Sequence, residues 1–284
     1  MAELINTICS GIGFFLPFEW ASHDFMRRAL LAIILIGPAA AAMGIHMINF
    51  RMSFFSDAIS HSAFTGIALG ILMSFNPLLT MVAFGLLVGL IIVRIRKRSK
   101  LSIDTIIGVA FSTSVALGIV IISARRGLTR NLHSFIYGDV LAVGEVEIVL
   151  MFFLSVAVFA FTFYMYNRLV MMAVNEEVAK TRGVNTSLYE YIFSILLTLV
   201  VCLSIRVVGI LLVTALIIVP AAVGRTLSKN VGELFWFSVL TALVASISGL
   251  ILSYYWDSAT GATVVLVCAA FFFMAQFVKG LRKA

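Results

Sequence analysis

Asp57-Ala-Ile-Ser-His61 sets a carboxylate and an imidazole four residues apart within the stretch 57–75, which otherwise has the composition of a membrane helix. On an α-helix that spacing puts both side chains on one face, about 5–6 Å apart at Cβ, close enough to share one cation. Ionisable groups inside a membrane are rare and costly, and such a pair marks an ion path or a proton relay. A carboxylate and a neutral imidazole suit Zn2+ or Mn2+. The bland alternative is an ion pair that fixes helix packing.

Such a pair needs helices to hold it, and the composition supplies membrane-spanning ones. Of 284 residues, 62% are apolar and 12% charged, which exceeds what a soluble core can hide. The reading is an all-α polytopic membrane protein. The formal charge of +7 does not point to nucleic acid, because no long polar stretch exists to carry a solvated basic domain; juxtamembrane Lys and Arg account for it. Cys9, Cys202 and Cys268 lie far apart with no CxxC spacing, and read as inert embedded thiols. The start of the chain lacks the basic region and cleavage pattern of a secretory signal, so the first apolar run is expected to stay in place.

Windows near the roughly 20 residues that cross a bilayer core occur at 29–48, 57–75, 77–93, 105–123, 148–167, 234–256 and 258–278. The run 191–224, interrupted only by Arg206, is too long for one crossing and is expected to fold back near that residue. Eight to nine spans follow, in one transmembrane domain over 1–284. Residues 1–24 are expected to form a partly embedded or interfacial segment, and 168–190 a cytoplasmic connection. The basic block Arg94-Ile-Arg-Lys-Arg-Ser-Lys100 fixes the orientation with its own side in the cytoplasm. Alternating crossings then bring 168–190, Arg225 with Lys229, and Lys279 with Arg282 and Lys283 to that side. Arg27 and Arg28 fit poorly unless 4–18 is also embedded, and Arg125, Arg126 and Arg130 fall outside.

Small residues at four-residue spacing, Gly66 with Gly70 and Gly85 with Gly89, read as faces for close helix packing. Pro38 and Pro220 each remove a helix hydrogen bond, which is tolerated where neighbouring groups satisfy the freed carbonyl. Within 168–190, Asn175-Glu-Glu-Val-Ala179 followed by Gly183-Val-Asn185 reads as a short amphipathic helix with a glycine terminator. Its functional reading is a coupling helix docked on a cytoplasmic partner, through Asn175, Glu176, Glu177, Ala179 and Gly183. Asp104 suits a helix N-terminus. His46 and His133 read as interfacial rather than as ligands, Asp139 as a turn or cap, and Asp257 as a solvated turn residue.

Five motifs in order carry a family resemblance: Arg51-Met-Ser-Phe-Phe-Ser-Asp-Ala-Ile-Ser-His61 with Gly66-Ile-Ala-Leu-Gly70, Ser102-Ile-Asp-Thr-Ile-Ile-Gly108, Tyr137-Gly-Asp-Val-Leu141, Val208-Gly-Ile-Leu-Leu-Val213, and Pro220-Ala-Ala222. Together they resemble the permease subunit of the metal-ion ABC importers, which take up zinc, manganese or iron. The resemblance implies a type II-like importer permease in the inner membrane of a prokaryote. It implies a second copy of the chain, a cytoplasmic ATPase dimer and an extracytoplasmic metal-binding protein as partners. It places the metal on Asp57 and His61, with no covalently bound cofactor and no enzyme activity of the chain itself. No GxxxxGK[ST] occurs in the sequence, so nucleotide chemistry is expected in another subunit. The segment 132–143 looks more like zinc-importing members, so Zn2+ is the first expectation and Mn2+ or Fe2+ the alternative. A secondary transporter working without ATP is a further class, although no convincing inverted repeat supports it.

Overall fold

The computed structural model describes residues 19–124 and 143–281. After a short 3-10 turn at Glu19–Ser22, ten α-helices follow among the described residues: α1 Asp24–Asn49, α2 Phe55–Leu72, α3 Pro77–Arg98, α4 Ile103–Ala124, α5 Glu145–Val174, α6 Glu176–Thr181, α7 Thr186–Val208, α8 Ile210–Leu227, α9 Val231–Tyr255 and α10 Thr260–Leu281. Eight of these are long and apolar enough to cross a membrane. The exceptions are α6, of six residues, and α2, whose 18 residues carry Asp57, His61 and several hydroxyls. At 1.5 Å per residue α2 is about 27 Å long, slightly under the thickness of a hydrocarbon core.

Local chemistry sets the boundaries. Asn76 caps α3 by accepting from the Leu78 amide at 2.9 Å, Pro77 occupies the first position, and Arg96, Lys97 and Arg98 complement the dipole at its end. Asn230 caps α9 through the Glu233 amide at 2.8 Å, and the Glu233 carboxylate accepts in return from the Lys229 amide at 2.7 Å. The apolar run from 191 breaks at Gly209, three residues beyond the expected Arg206. Gly209 has φ +82° and ψ 163°, a region open essentially to glycine alone. A charged residue suggested the break, but backbone freedom decides where it falls.

The chain divides into two compact units. One takes α1 to Ile45, α5 to Phe159, and all of α8, α9 and α10. In it Gly44 lets α1 reach the backbone of α8, where any Cβ would overlap the Ile217 carbonyl oxygen, and Gly249 lets α9 approach Val264 of α10. Pro38 is accommodated inside α1, and the Ser155 hydroxyl of α5 donates to the Leu35 carbonyl beside it at 3.1 Å. Arg27 and Arg28, which fit the charge rule poorly, are met by Asp24 at 3.3 Å and Glu145 at 3.1 Å. Asp257 is exposed in the turn before α10 at φ +48°, as expected.

The other unit takes α2, α3, α4, the rest of α5, α6, and α7 to Ile205. Gly66 and Gly70 seat α2 on α3, with the Met81 Cα and Thr80 carbonyl 2.8 Å from where a Cβ on Gly66 would stand. The second glycine pair faces α7: Gly85 lies against Cys202, and Gly89 against Thr198 and Ser194. Thr65 adds a hydrogen bond from α2 to the Ser114 carbonyl of α4 at 2.7 Å. Cys202 and Cys268 are free and buried. Asp104 stands in the first turn of α4.

The backbone atoms facing Gly66 cannot rotate away, so overpacking there costs about 1–3 kcal/mol. Gly66→Ala is therefore expected to lower the thermal unfolding midpoint of the detergent-purified protein. Gly108→Ala, where an added Cβ meets nothing within 4 Å, serves as the control and leaves the midpoint unchanged or raises it, because alanine is the better helix former. Identical melting of the two variants would remove the packing role assigned to Gly66.

Candidate metal centre and its coupling element

Asp57 and His61 lie in the first two turns of α2, within about 9 Å of its N-terminal end. That position places the carboxylate where the helix dipole favours negative charge. Around the pair, Ser56, Ala58, Ile59, Ser60, Ser62, Ala63 and Thr65 are buried, whereas Asp57, His61 and Phe64 form a half-exposed stripe. The stripe lies opposite the Gly66 and Gly70 face that meets α3, and it borders α4 through His61 and Phe64. One contact steadies the imidazole: its ring meets Phe111 of α4 edge to face at 4.9 Å between centroids. Asp57 lies within electrostatic reach of it. Among the described residues no three His, Cys, Asp or Glu side chains cluster as a metal-binding group. Among the described residues this face offers one carboxylate and one imidazole.

The connection expected over 168–190 is mostly helical. α5 runs on to Val174 and α7 begins at Thr186, leaving 175–185 for α6 and its turns. Asn175 caps α6 by accepting from the Glu177 amide at 3.0 Å and the Val178 amide at 3.2 Å. Gly183, at φ +78°, ends it: its amide reaches the Lys180 carbonyl at 2.9 Å and the Val184 amide reaches Ala179 at 3.0 Å, the two bonds of a Schellman terminus. Ala179 is buried while Glu177 and Val178 face outward, so the amphipathic reading of this stretch fits. Lys180 bridges Glu176 and Glu177, each at 3.0 Å. Partial burial pushes the Glu176 carboxyl up, but Lys180 and the Thr186 hydroxyl at 3.3 Å outweigh it and hold the carboxyl below its ordinary value.

The sequence reading passed over Glu190. Its side chain is 7% exposed and takes ion pairs from Arg96 at 3.0 Å and Lys97 at 3.5 Å, at the end of α3. Lys97 also sits over the Tyr191 ring at 4.6 Å, and Arg168 of α5 hydrogen-bonds Tyr189. The connection and the block 94–100 therefore share one end of this unit, as the charge pattern required. A lone acid beside a connection predicted to face a basic block was the available signal.

His46 corrects an expectation. It is 1% exposed rather than interfacial, wedged edge-on between Tyr166 at 5.7 Å and Phe193 at 6.4 Å, with neither ring nitrogen hydrogen-bonded. A histidine near the end of an apolar window looks interfacial until α5 and α7 close over it. The segment 4–18, Cys9, Arg125, Arg126, Arg130, His133, Asp139 and the motif 137–141 lie outside the described residues.

Known proteins are similar to this chain over most of their length. ZnuB of Haemophilus influenzae, a high-affinity zinc uptake system membrane protein, is 31% identical over 259 residues, 91% of this chain and 99% of its own. ScaB of Streptococcus gordonii, a manganese import system permease protein, is 32% identical over 258 residues, 90% of this chain and 92% of its own. Among solved structures, PsaBC from Streptococcus pneumoniae in complex with Fab superposes with a TM-score of 0.77 at 30% identity, over 89% of this chain and 91% of the matched one. Residues 22–279 match the family described as the ABC 3 transport family, and with nearly the whole chain matched this protein belongs to it.

Proposed function

We propose that this chain is the permease of an ABC importer that carries a divalent transition metal, zinc in the first place, into the cytoplasm. The observation that carries the reading is the half-exposed Asp57 and His61 stripe on a helix whose other faces are packed, in a member of the ABC 3 transport family. Support for the metal comes from the donor set and from the similarity to ZnuB. A manganese importer is the second reading, favoured by the equal similarity to ScaB and by a donor set that serves either ion.

In this reading two copies assemble with their Asp57 and His61 faces toward a shared path. Two carboxylates and two imidazoles then surround one ion, and incomplete protein ligation in any single state lets it leave. A binding protein delivers the metal from outside, and a separate ATPase dimer docks on α6 from the cytoplasm. Docking suits α6 because it is capped at both ends and holds Glu177 and Val178 outward on a rigid turn. Motion imposed there reaches α2 through named contacts. Glu190 ties the start of α7 to Arg96 and Lys97 of α3, and α3 carries α2 on the Gly66 and Gly70 face.

Asp57→Ala and His61→Ala are each expected to cut uptake at limiting metal by at least about tenfold, since losing even an outer-shell partner costs that much. The complex with the ATPase should stay assembled; its loss instead would assign the pair to packing. A ligating imidazole must be neutral, so uptake should fall as the pH is lowered and His61 takes up a proton. An uptake profile level from about pH 5 to 8 would speak against direct ligation by His61. Glu190→Gln keeps the side-chain shape but removes the charge that holds Arg96 and Lys97. Metal-stimulated ATPase activity and uptake should drop together, while an ATPase rate that still tracks uptake at wild-type level would take Glu190 out of the coupling route.

A further inference from the structure

Between α8, α9 and α10 lies a groove of about 460 Å3, contained within one compact unit. Val223 and Leu227 of α8, Leu240 and Val244 of α9, and Phe271 and Met274 of α10 line it, and Thr241 is its one polar residue. Leu240, Val244 and Met274 are 51–52% exposed, so the groove opens outward along apolar side chains. On spanning helices that direction is hydrocarbon. Its length covers about two turns, near 10 Å, from Val244 to Phe237 and from Phe271 to Val278.

One end of the groove is charged. α8 ends at Leu227, α9 starts at Val231 and α10 ends at Leu281, and the Gln276 amide bonding the Thr226 hydroxyl at 3.3 Å holds the ends of α8 and α10 at one level. Lys229 stands in the turn between α8 and α9, and Lys279 lies one helical turn beyond the lining residue Ala275. Both lysines are exposed, and neither ammonium has a side-chain partner among the described residues. The one acid close by, Glu233, is occupied by the Lys229 backbone amide and the Asn230 side chain. Trp236, 60% exposed in the second turn of α9, marks the level at which indoles settle between hydrocarbon and headgroups.

We propose that this groove binds an anionic phospholipid, one acyl chain lying along Leu240, Val244 and Met274 and the phosphate held by Lys229 and Lys279. A concave apolar slot ending in two exposed lysines fits an amphiphile with a negative head, and a zwitterionic lipid forfeits the net attraction. The binding ties the ends of α8, α9 and α10 together at the membrane surface. It is independent of which ion the protein carries.

Native mass spectrometry of the full chain in detergent, titrated with phosphatidylglycerol or phosphatidylethanolamine of matched chains, tests this. Wild type should retain phosphatidylglycerol preferentially. Lys229→Gln with Lys279→Gln should lower that retention roughly tenfold, to the level of phosphatidylethanolamine. Thr241→Trp, which fills the slot and leaves both lysines, should reduce retention of both lipids. Equal retention of the two lipids by wild type, or undiminished phosphatidylglycerol on the double lysine variant, overturns the proposal. So does efficient disulfide formation between two copies carrying Leu240→Cys, because a second chain would then cover the groove.

Discussion

Hydrocarbon gives apolar side chains no reason to prefer one another over lipid, so helices in a membrane are held by close approach and by the few polar contacts they can make. Here the close approach is made at glycines, facing backbone at Gly66 and side chains at Gly85 and Gly89. Gly66 and Gly70 put α2 onto α3, and Gly85 and Gly89 put α3 onto α7. Those seats leave α2 little freedom to rotate about its axis. A turn of the helix by even one residue position would bury Asp57 and His61 in the places of Ala58 and Ser62 and expose Ser56 and Ser60 instead. The orientation of the chemical face is thus a consequence of where side chains are missing.

A second constraint is charge burial. Glu190 is almost wholly enclosed, and an enclosed carboxylate persists only when it is paired. Arg96 and Lys97 supply that pairing from the end of α3, and Lys97 extends over Tyr191. The ends of α3 and α7 are thereby locked at the level where α6 is displayed. Caps at Asn175 and Gly183 make α6 a defined object rather than a slack connection. The same unit holds a candidate ligand pair near one end of α2 and a rigid element able to receive a partner. A permease that couples docking to release requires both.

Basic side chains at the ends of spans meet different surroundings. In the unit of α2, α3, α4 and α7, Arg96 and Lys97 pair with Glu190, and Lys97 and Arg168 lie over aromatic rings. In the unit of α8, α9 and α10, Lys229 and Lys279 stand open beside an apolar groove. Cations at the end of a span satisfy the positive-inside pattern in both cases. What they do beyond setting orientation depends on what surrounds them.

Much of this protein was legible in one dimension because the signals are local. Charge-free runs of the right length marked the spans, Asn175 and Gly183 marked a short helix, and Asp57 with His61 shared a face by spacing alone. Each follows from interactions within a turn or two of the residue. The rest depended on residues far apart in the chain. Gly209 rather than Arg206 breaks the long apolar run because a positive φ, not a charge, permits the break. His46 is buried because Tyr166 and Phe193 arrive from other helices, and Glu190 finds its partners nearly a hundred positions earlier. The sequence by itself determined which segments are helical, where they cap and which side chains share a face. Tertiary packing decided which face stays open and which charges are consumed, because burial and pairing belong to neighbours that sequence order does not specify.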